Sequence, residues 1–203
     1  MRKGYAVGLL GGSFNPAHGG HRRMSVAALD RLKLDEVWWL VSPQNPLKPE
    51  AGMAPFSQRL EQARRVARHP RIRVSAIEAE LHTRFTIDTL RALRRRFPQV
   101  RFLWLMGADN LHQFHRWVSW RGIARLVPIV VLARAPHAGR RHAASALAWL
   151  GRHRHRRAEG WRTWTLPGIA IVSYGLDRRS ATAIRKLRPD WADTSHKEQE
   201  AAD

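Results

Sequence analysis

Two histidines, His18 and His21, close a glycine-rich run that reads Gly11-Gly12-Ser13-Phe14-Asn15-Pro16-Ala17-His18-Gly19-Gly20-His21. Glycine carries no Cβ, so backbone amides in such a turn can approach an oxyanion closely. A helix that follows the turn offers unpaired N–H groups and the positive end of its dipole to a phosphate. Imidazoles three positions apart on the opening turn of that helix share roughly one face. There they could donate hydrogen bonds to a triphosphate and to charge growing on an α-phosphate under attack. Each histidine also has a structural reading, His18 as a helix cap and His21 as a packed core residue. A metal site is a further option, but no carboxylate or third histidine lies nearby in sequence. Taken singly, either histidine is more often structural; the glycine turn and the strand–helix context together favour phosphate chemistry.

A second set of candidate groups stands far downstream, in Ser180-Ala181-Thr182-Ala183-Ile184-Arg185. Ser180 can cap a helix, and Thr182 and Arg185 then share a face. Hydroxyls and a guanidinium at a helix start make a phosphate grip. Read alone, the segment is better taken as a capped helix with an exposed arginine.

Alternating strands and helices position these residues. Tyr5–Leu10 is an apolar run bounded by glycine, as a buried parallel strand is. His18–Lys33 has helical periodicity, Glu36–Val41 is a second strand, and Ser42–Phe56 is a Pro- and Gly-containing loop. Ser57 is placed to cap a helix reaching about His69. Ile72–Ile77 alternates as a strand does, Thr86–Phe97 is a helix stopped by Pro98, and Arg101–Met106 is a strongly apolar strand. Trp117–Leu126 reads as a helix, Pro128–Ala133 as a fifth strand, Ala143–Leu150 as a helix, Ile169–Ser173 as a last strand and Ser180–Leu187 as a last helix. This alternation predicts an α/β fold: one Rossmann-like open parallel sheet with helices on both faces. The glycine turn then falls between the first strand and the first helix, in the usual ligand crevice.

Bulk properties narrow the class. A chain of 203 residues with 44% hydrophobic content suits one compact domain. Cysteine is absent, which excludes disulfides and thiolate metal sites and fits a reducing cytoplasm. The basic N-terminus followed by Tyr5–Leu10 superficially resembles a signal peptide, but the apolar run is short and lacks a small-residue cleavage site. No stretch approaches the roughly 20 apolar residues that cross a bilayer, so a soluble protein without a membrane partner is expected. The formal charge of +20 admits a nucleic-acid partner through counterion release. The arginines are dispersed, however, with the densest runs at Arg94–Arg96 and Arg140–Arg157. Dispersal favours solvated basic faces, which also draw in small anionic substrates.

The run Ser13–His21 resembles the (T/S)-F-D-P-x-H-x-G-H signature of the nucleotidylyltransferase superfamily, with Asn15 in place of the usual aspartate. Ser180–Arg185 resembles that superfamily's second motif, S-S-T-x-I-R, with Ala181 for the second serine. The resemblance implies direct attack of one substrate's phosphate on the α-phosphate of ATP, without a covalent enzyme intermediate. It also implies Mg2+ carried by ATP rather than by protein ligands, catalytic roles for His18 and His21, and phosphate contacts from Gly11, Gly12, Ser13, Phe14, Ser180, Thr182 and Arg185.

Asp35–Trp39, Asn45-Pro46-Leu47-Lys48, Phe85–Leu90, Gly107-Ala108-Asp109-Asn110-Leu111 and His115-Arg116-Trp117 are similar to the nicotinate-nucleotide adenylyltransferase branch. That similarity implies ATP and nicotinate mononucleotide as substrates in NAD synthesis. Lys48 would hold phosphates and Asp109 the ATP nucleoside. Backbone amides around Thr86 would take the pyridine carboxylate, with Trp117 stacked on the ring. On this reading residues 1–190 form the nucleotidylyltransferase domain, 136–160 a basic surface segment within it, and 191–203 a polar tail. Relatives using phosphopantetheine or nicotinamide mononucleotide share the ATP-binding motifs. The segments Phe85–Leu90 and His115–Trp117 favour the nicotinate branch over them.

Overall fold

Six parallel strands form one sheet in the order β3-β2-β1-β4-β5-β6. They are β1 (Ala6–Gly12), β2 (Glu36–Val41), β3 (Ile72–Ser75), β4 (Arg101–Gly107), β5 (Ile129–Ala133) and β6 (Ile169–Ser173). The computed structural model describes residues 2–44, 52–133, 144–175, 181, 184 and 185. Helices α1 (Gly19–Arg31), α2 (Phe56–Ala67), α3 (Ile77–Glu80), α4 (Thr86–Arg96), α5 (Ala108–Gln113), α6 (Trp120–Leu126) and α7 (Ala144–Leu150) connect or flank the strands. Among the described residues no helix is long and apolar enough to cross a membrane.

Strand side chains alternate between two cores because successive Cβ atoms leave opposite faces of a sheet. Val7 and Leu9 of β1, Trp38 and Leu40 of β2, and Phe102, Trp104 and Met106 of β4 pack beneath α4 and α6. Leu10, Trp39, Leu103 and Leu105 face the other way, onto Met24, Ala28 and Leu29 of α1 and Ala63 and Ala67 of α2. Both faces are thus covered, which is why the central strands are almost continuously apolar. The α/β architecture predicted from the alternation, with helices on both faces of a parallel sheet, is the one observed.

Several boundaries differ from expectation, each for a local reason. The third strand stops at Ser75, whose Oγ accepts the Ile77 N–H at 3.2 Å and turns the chain into α3. Ser57 does not cap α2: that helix opens at Phe56 after Pro55, with no side-chain cap. The helix expected from Trp117 begins only at Trp120, because Phe114–Arg116 is a 3-10 turn and Ser119 is left-handed at φ 51°.

The segment after α7 is tied to the sheet. The His155 N–H donates to the Ile169 carbonyl at 2.8 Å, and the His155 ring stacks on Trp164 at 4.1 Å. Arg152, Arg154, Arg156 and Arg157 are exposed, whereas Trp161 is buried and donates to the Leu32 carbonyl at 2.9 Å.

Candidate active site

Strand order reverses between β1 and β4, and that switch point is where open α/β sheets form a ligand crevice at the strands' carboxyl ends. A cavity of about 390 Å³ lies there. The glycine turn and α1 form one wall, and the start of α4, the end of β4 and Trp117 form another. Arg84, Arg116, His18 and His21 line it together with two carboxylates, Glu78 and Asp109. The guanidiniums of Arg84 and Arg116, beside the two imidazoles, can serve the charged oxygens of an anionic ligand.

The turn begins with a steric demand. A Cβ on Gly11 would lie 2.6 Å from Cη2 of Trp104, so glycine is required there by the indole of the neighbouring strand. At Gly12 a Cβ would only touch the Phe14 ring at 3.5 Å. Phe14 takes φ 47°, a left-handed conformation that strains a non-glycine residue by about 1 kcal/mol or more. Its ring is held by near-parallel stacking on buried Trp39, with centroids 5.0 Å apart. Asn15 is buried and bridges to the following connection. Its Nδ2 donates to the Gly52 carbonyl at 2.9 Å, and its Oδ1 accepts the Ala54 N–H at 3.0 Å. An aspartate could make only the second bond, so the departure from the signature adds a donor.

His18 and His21 form a reciprocal cap. Nδ1 of His18 accepts the Gly20 N–H at 3.1 Å, and Nδ1 of His21 accepts the His18 N–H at 3.2 Å. An imidazole nitrogen that accepts a hydrogen bond is unprotonated, so each neutral ring carries its proton on Nε2. Capping and phosphate contact are therefore compatible: the cap fixes the tautomer, and Nε2 is the donor. The rings lie 4.0 Å apart. His21 also packs against Phe14 at 4.9 Å and Trp39 at 5.9 Å, which explains its core-like environment.

Trp117 is half-buried. Its indole meets Trp104 edge-on at 6.0 Å and Phe114 at 5.4 Å, while the residue also lines the cavity. Thr86 is the first residue of α4; of the first-turn amides that of Asp88 donates to the Phe85 carbonyl at 3.0 Å, and those of Thr86 and Ile87 precede it at the helix start. Asp109 lies in the first turn of α5, directly after β4. Gly11, Gly12, Ser13, Phe14, His18, His21, Thr86, Asp109 and Trp117 thus all line one cavity. Arg185 is brought to it through a hydrogen bond from Nη1 to the Asn15 carbonyl, and Ala181 lines it too. Lys48, Ser180 and Thr182 lie outside the described residues.

Two groups escaped the sequence reading. Arg59 is 1% exposed and donates only to main-chain carbonyls, those of Ala54, Ser13, Ser42 and Pro43, at 2.6 to 2.9 Å. Burial lowers its pKa from the ordinary arginine value. The available signal was its spacing, because Arg59, Ala63 and Ala67 occupy the same buried helical face.

Glu78 lines the cavity, and burial pushes its carboxyl up to about 7, against a weaker opposing hydrogen bond from Thr89 Oγ1 at 3.3 Å. Nothing in its sequence neighbourhood marks it. A carboxyl whose folded pKa exceeds its unfolded value binds more protons in the native state, so stability falls as pH rises from about 4.5 to about 7. Glu78→Gln is therefore expected to be more stable than the parent above pH 7, by up to about 3 kcal/mol, with the difference vanishing near pH 4. Urea unfolding across that range measures it, and a difference independent of pH would refute the assignment.

Comparison with known proteins agrees with this geometry. The cytidylyltransferase-like family model matches residues 9–187. A probable nicotinate-nucleotide adenylyltransferase of Erythrobacter litoralis is 57% identical over 91% of this chain and 85% of its own length. The chain belongs to the nicotinate-nucleotide adenylyltransferase family. A second family member, from Cereibacter sphaeroides ATCC 17025, is 54% identical over 88% of this chain and 96% of its own length. Among solved structures, Plasmodium falciparum nicotinic acid mononucleotide adenylyltransferase complexed with NaAD superposes with a TM-score of 0.65. It covers 89% of this chain and 82% of that one at 15% identity, a likeness of fold. The resemblance to this family is thus upheld.

Proposed function

We propose that the chain joins ATP and nicotinate mononucleotide to give nicotinate adenine dinucleotide and pyrophosphate, the adenylyl transfer of NAD synthesis in the cytoplasm. The observation that carries this reading is the meeting, in one cavity, of a phosphate-type wall and a pyridine-type wall. On the first, two imidazoles are fixed through Nδ1 at the start of α1. On the second, the α4 N-terminus stands with Trp117.

The triphosphate lies over the turn Gly11–Phe14 and the start of α1, with Nε2–H of His18 and His21 donating to its oxygens. Asp109 takes the nucleoside, and Lys48, Ser180, Thr182 and Arg185 hold phosphates. The pyridine carboxylate meets the first-turn amides at Thr86, and its ring stacks on Trp117, where an electron-poor ring gains from indole. A phosphate oxygen of the mononucleotide attacks the α-phosphorus of ATP. That P–O bond forms as the bond from the α-phosphorus to the bridging oxygen breaks, and the bridging oxygen leaves with its electron pair as pyrophosphate. The residues position and stabilise charge and need no proton of their own to complete the transfer.

Among the described residues no group of three or more His, Asp or Glu could hold a metal ion. Mg2+ at nucleotide sites commonly binds through substrate phosphates and one or two protein carboxylates, and Glu78 and Asp109 are the carboxylates that line the cavity. Bound with ATP, the ion would neutralise charge on the triphosphate.

Pyrophosphate release by purified protein with ATP and Mg2+ tests the reading. Release with nicotinate mononucleotide, well above that with nicotinamide mononucleotide or phosphopantetheine, is the expected result. Release with another acceptor alone would move the substrate assignment. Trp117→Ala should raise KM for nicotinate mononucleotide about 5- to 100-fold, the range for losing one ring–aromatic stack, with KM for ATP unchanged. Equal effects on both substrates would place Trp117 in the core only.

A further inference from the structure

Arg59 is the only charged residue among the described buried ones, and no carboxylate accepts any of its hydrogen bonds. Its four acceptors come from three separate pieces of chain. They are the turn after β1 (Ser13, 2.7 Å), the end of β2 (Ser42, 2.7 Å; Pro43, 2.6 Å) and the approach to α2 (Ala54, 2.9 Å). Ser13 and Ser42 both line the cavity, whereas Arg59 stands behind its wall. In a trans peptide the C=O and the following N–H point in opposite directions. A Ser13 carbonyl drawn to Arg59 therefore turns the Phe14 N–H away from Arg59. Phe14 at φ 47° keeps that orientation only while its neighbours enforce it. Nη1 of Arg59 supplies two of those constraints at once, donating to the carbonyls of both Ser13 and Ser42.

We infer that Arg59 is a positioning residue for the triphosphate: by holding the Ser13 and Ser42 carbonyls behind the wall, it presents the Phe14 N–H to the phosphates of bound ATP. The inference rests on the proposed adenylyl transfer. A buried guanidinium with four carbonyl acceptors also leaves its charge uncompensated beside an anion site, which adds to the attraction for phosphate. Lysine retains the charge but cannot bridge four carbonyls in a plane. Arg59→Lys therefore separates geometry from charge.

The test compares the unaltered protein with Arg59→Lys and Arg59→Met in one assay, with thermal unfolding measured on each. Arg59→Lys is expected to lower kcat/KM for ATP about 10- to 100-fold, the scale of a small misplacement of reacting groups, while KM for nicotinate mononucleotide stays unchanged. Arg59→Met, having lost charge as well, should fall further. A folded Arg59→Lys with unaltered ATP kinetics, or with both KM values raised equally, overturns the inference. Should neither variant fold, the unaltered protein still decides. On adding α,β-methylene ATP, the amide resonance of Phe14 should move downfield in a nitrogen–proton spectrum as its N–H gains a phosphate acceptor. A Phe14 resonance that stays in place while others shift overturns it. Absence of turnover by the unaltered protein would instead count against the proposed function itself.

Discussion

Replacing His21 by alanine is expected to lower kcat about 100- to 1000-fold, the usual consequence of removing one preorganised donor from developing charge. The protein should remain folded. His21 contributes one capping bond through Nδ1, to the His18 N–H, and losing such a cap costs about 1 kcal/mol. Its ring also leaves the Phe14 and Trp39 surfaces, at 4.9 and 5.9 Å, partly uncovered. A small drop in melting temperature with a large drop in turnover is thus the signature of a catalytic role. Steady-state kinetics beside a thermal melt read both quantities. Near-parent turnover in the variant would show that the capping role is the whole role.

Trp39→Ala should have the opposite profile, with stability failing first. The indole is fully buried, stacks beneath Phe14 and donates Nε1–H to Ser25 Oγ at 2.8 Å. Ser25 Oγ in turn donates to the His21 carbonyl at 2.9 Å. Cutting a buried tryptophan to alanine costs about 3–5 kcal/mol, equivalent to a melting point lower by roughly 10 °C in a chain of this size. Whatever folded fraction remains should also turn over slowly, because Phe14 and His21 lose their common backing. Trp39→Phe keeps a ring under Phe14 and gives up the hydrogen bond, so its loss should be intermediate. Denaturant unfolding orders the three proteins, and an alanine variant within about 1 kcal/mol of the parent would contradict the packing described here.

Much of this molecule can be read from local pattern. β6 lies at Ile169–Ser173, the bounds predicted for it, and α4 ends within one residue of expectation. Buried parallel strands and a Pro-terminated amphipathic helix carry their own signals. The glycine turn with its two histidines was legible for the same reason, since donors, cap and strand end all lie within eleven consecutive residues. What stayed hidden depends on distant partners. Gly11 is glycine because of Trp104, more than ninety positions away. Arg59 resembles any other residue of a basic helix until three chain segments converge on it. Glu78 acquires its raised pKa only from burial in the cavity wall. Ser57 shows the reverse error: a favourable capping residue sits two positions inside the helix because Pro55 already set the start of α2.

The central claim is direct transfer of the adenylyl group, and ATP labelled at the α-phosphorus tests it most directly. The protein is incubated with labelled ATP, Mg2+ and nicotinate mononucleotide, and the label is followed in small molecules and on protein. The account predicts that the label passes into nicotinate adenine dinucleotide in step with pyrophosphate release, with none bound covalently to the chain. Label retained on the protein, or recovered as free adenylate without dinucleotide, would contradict it.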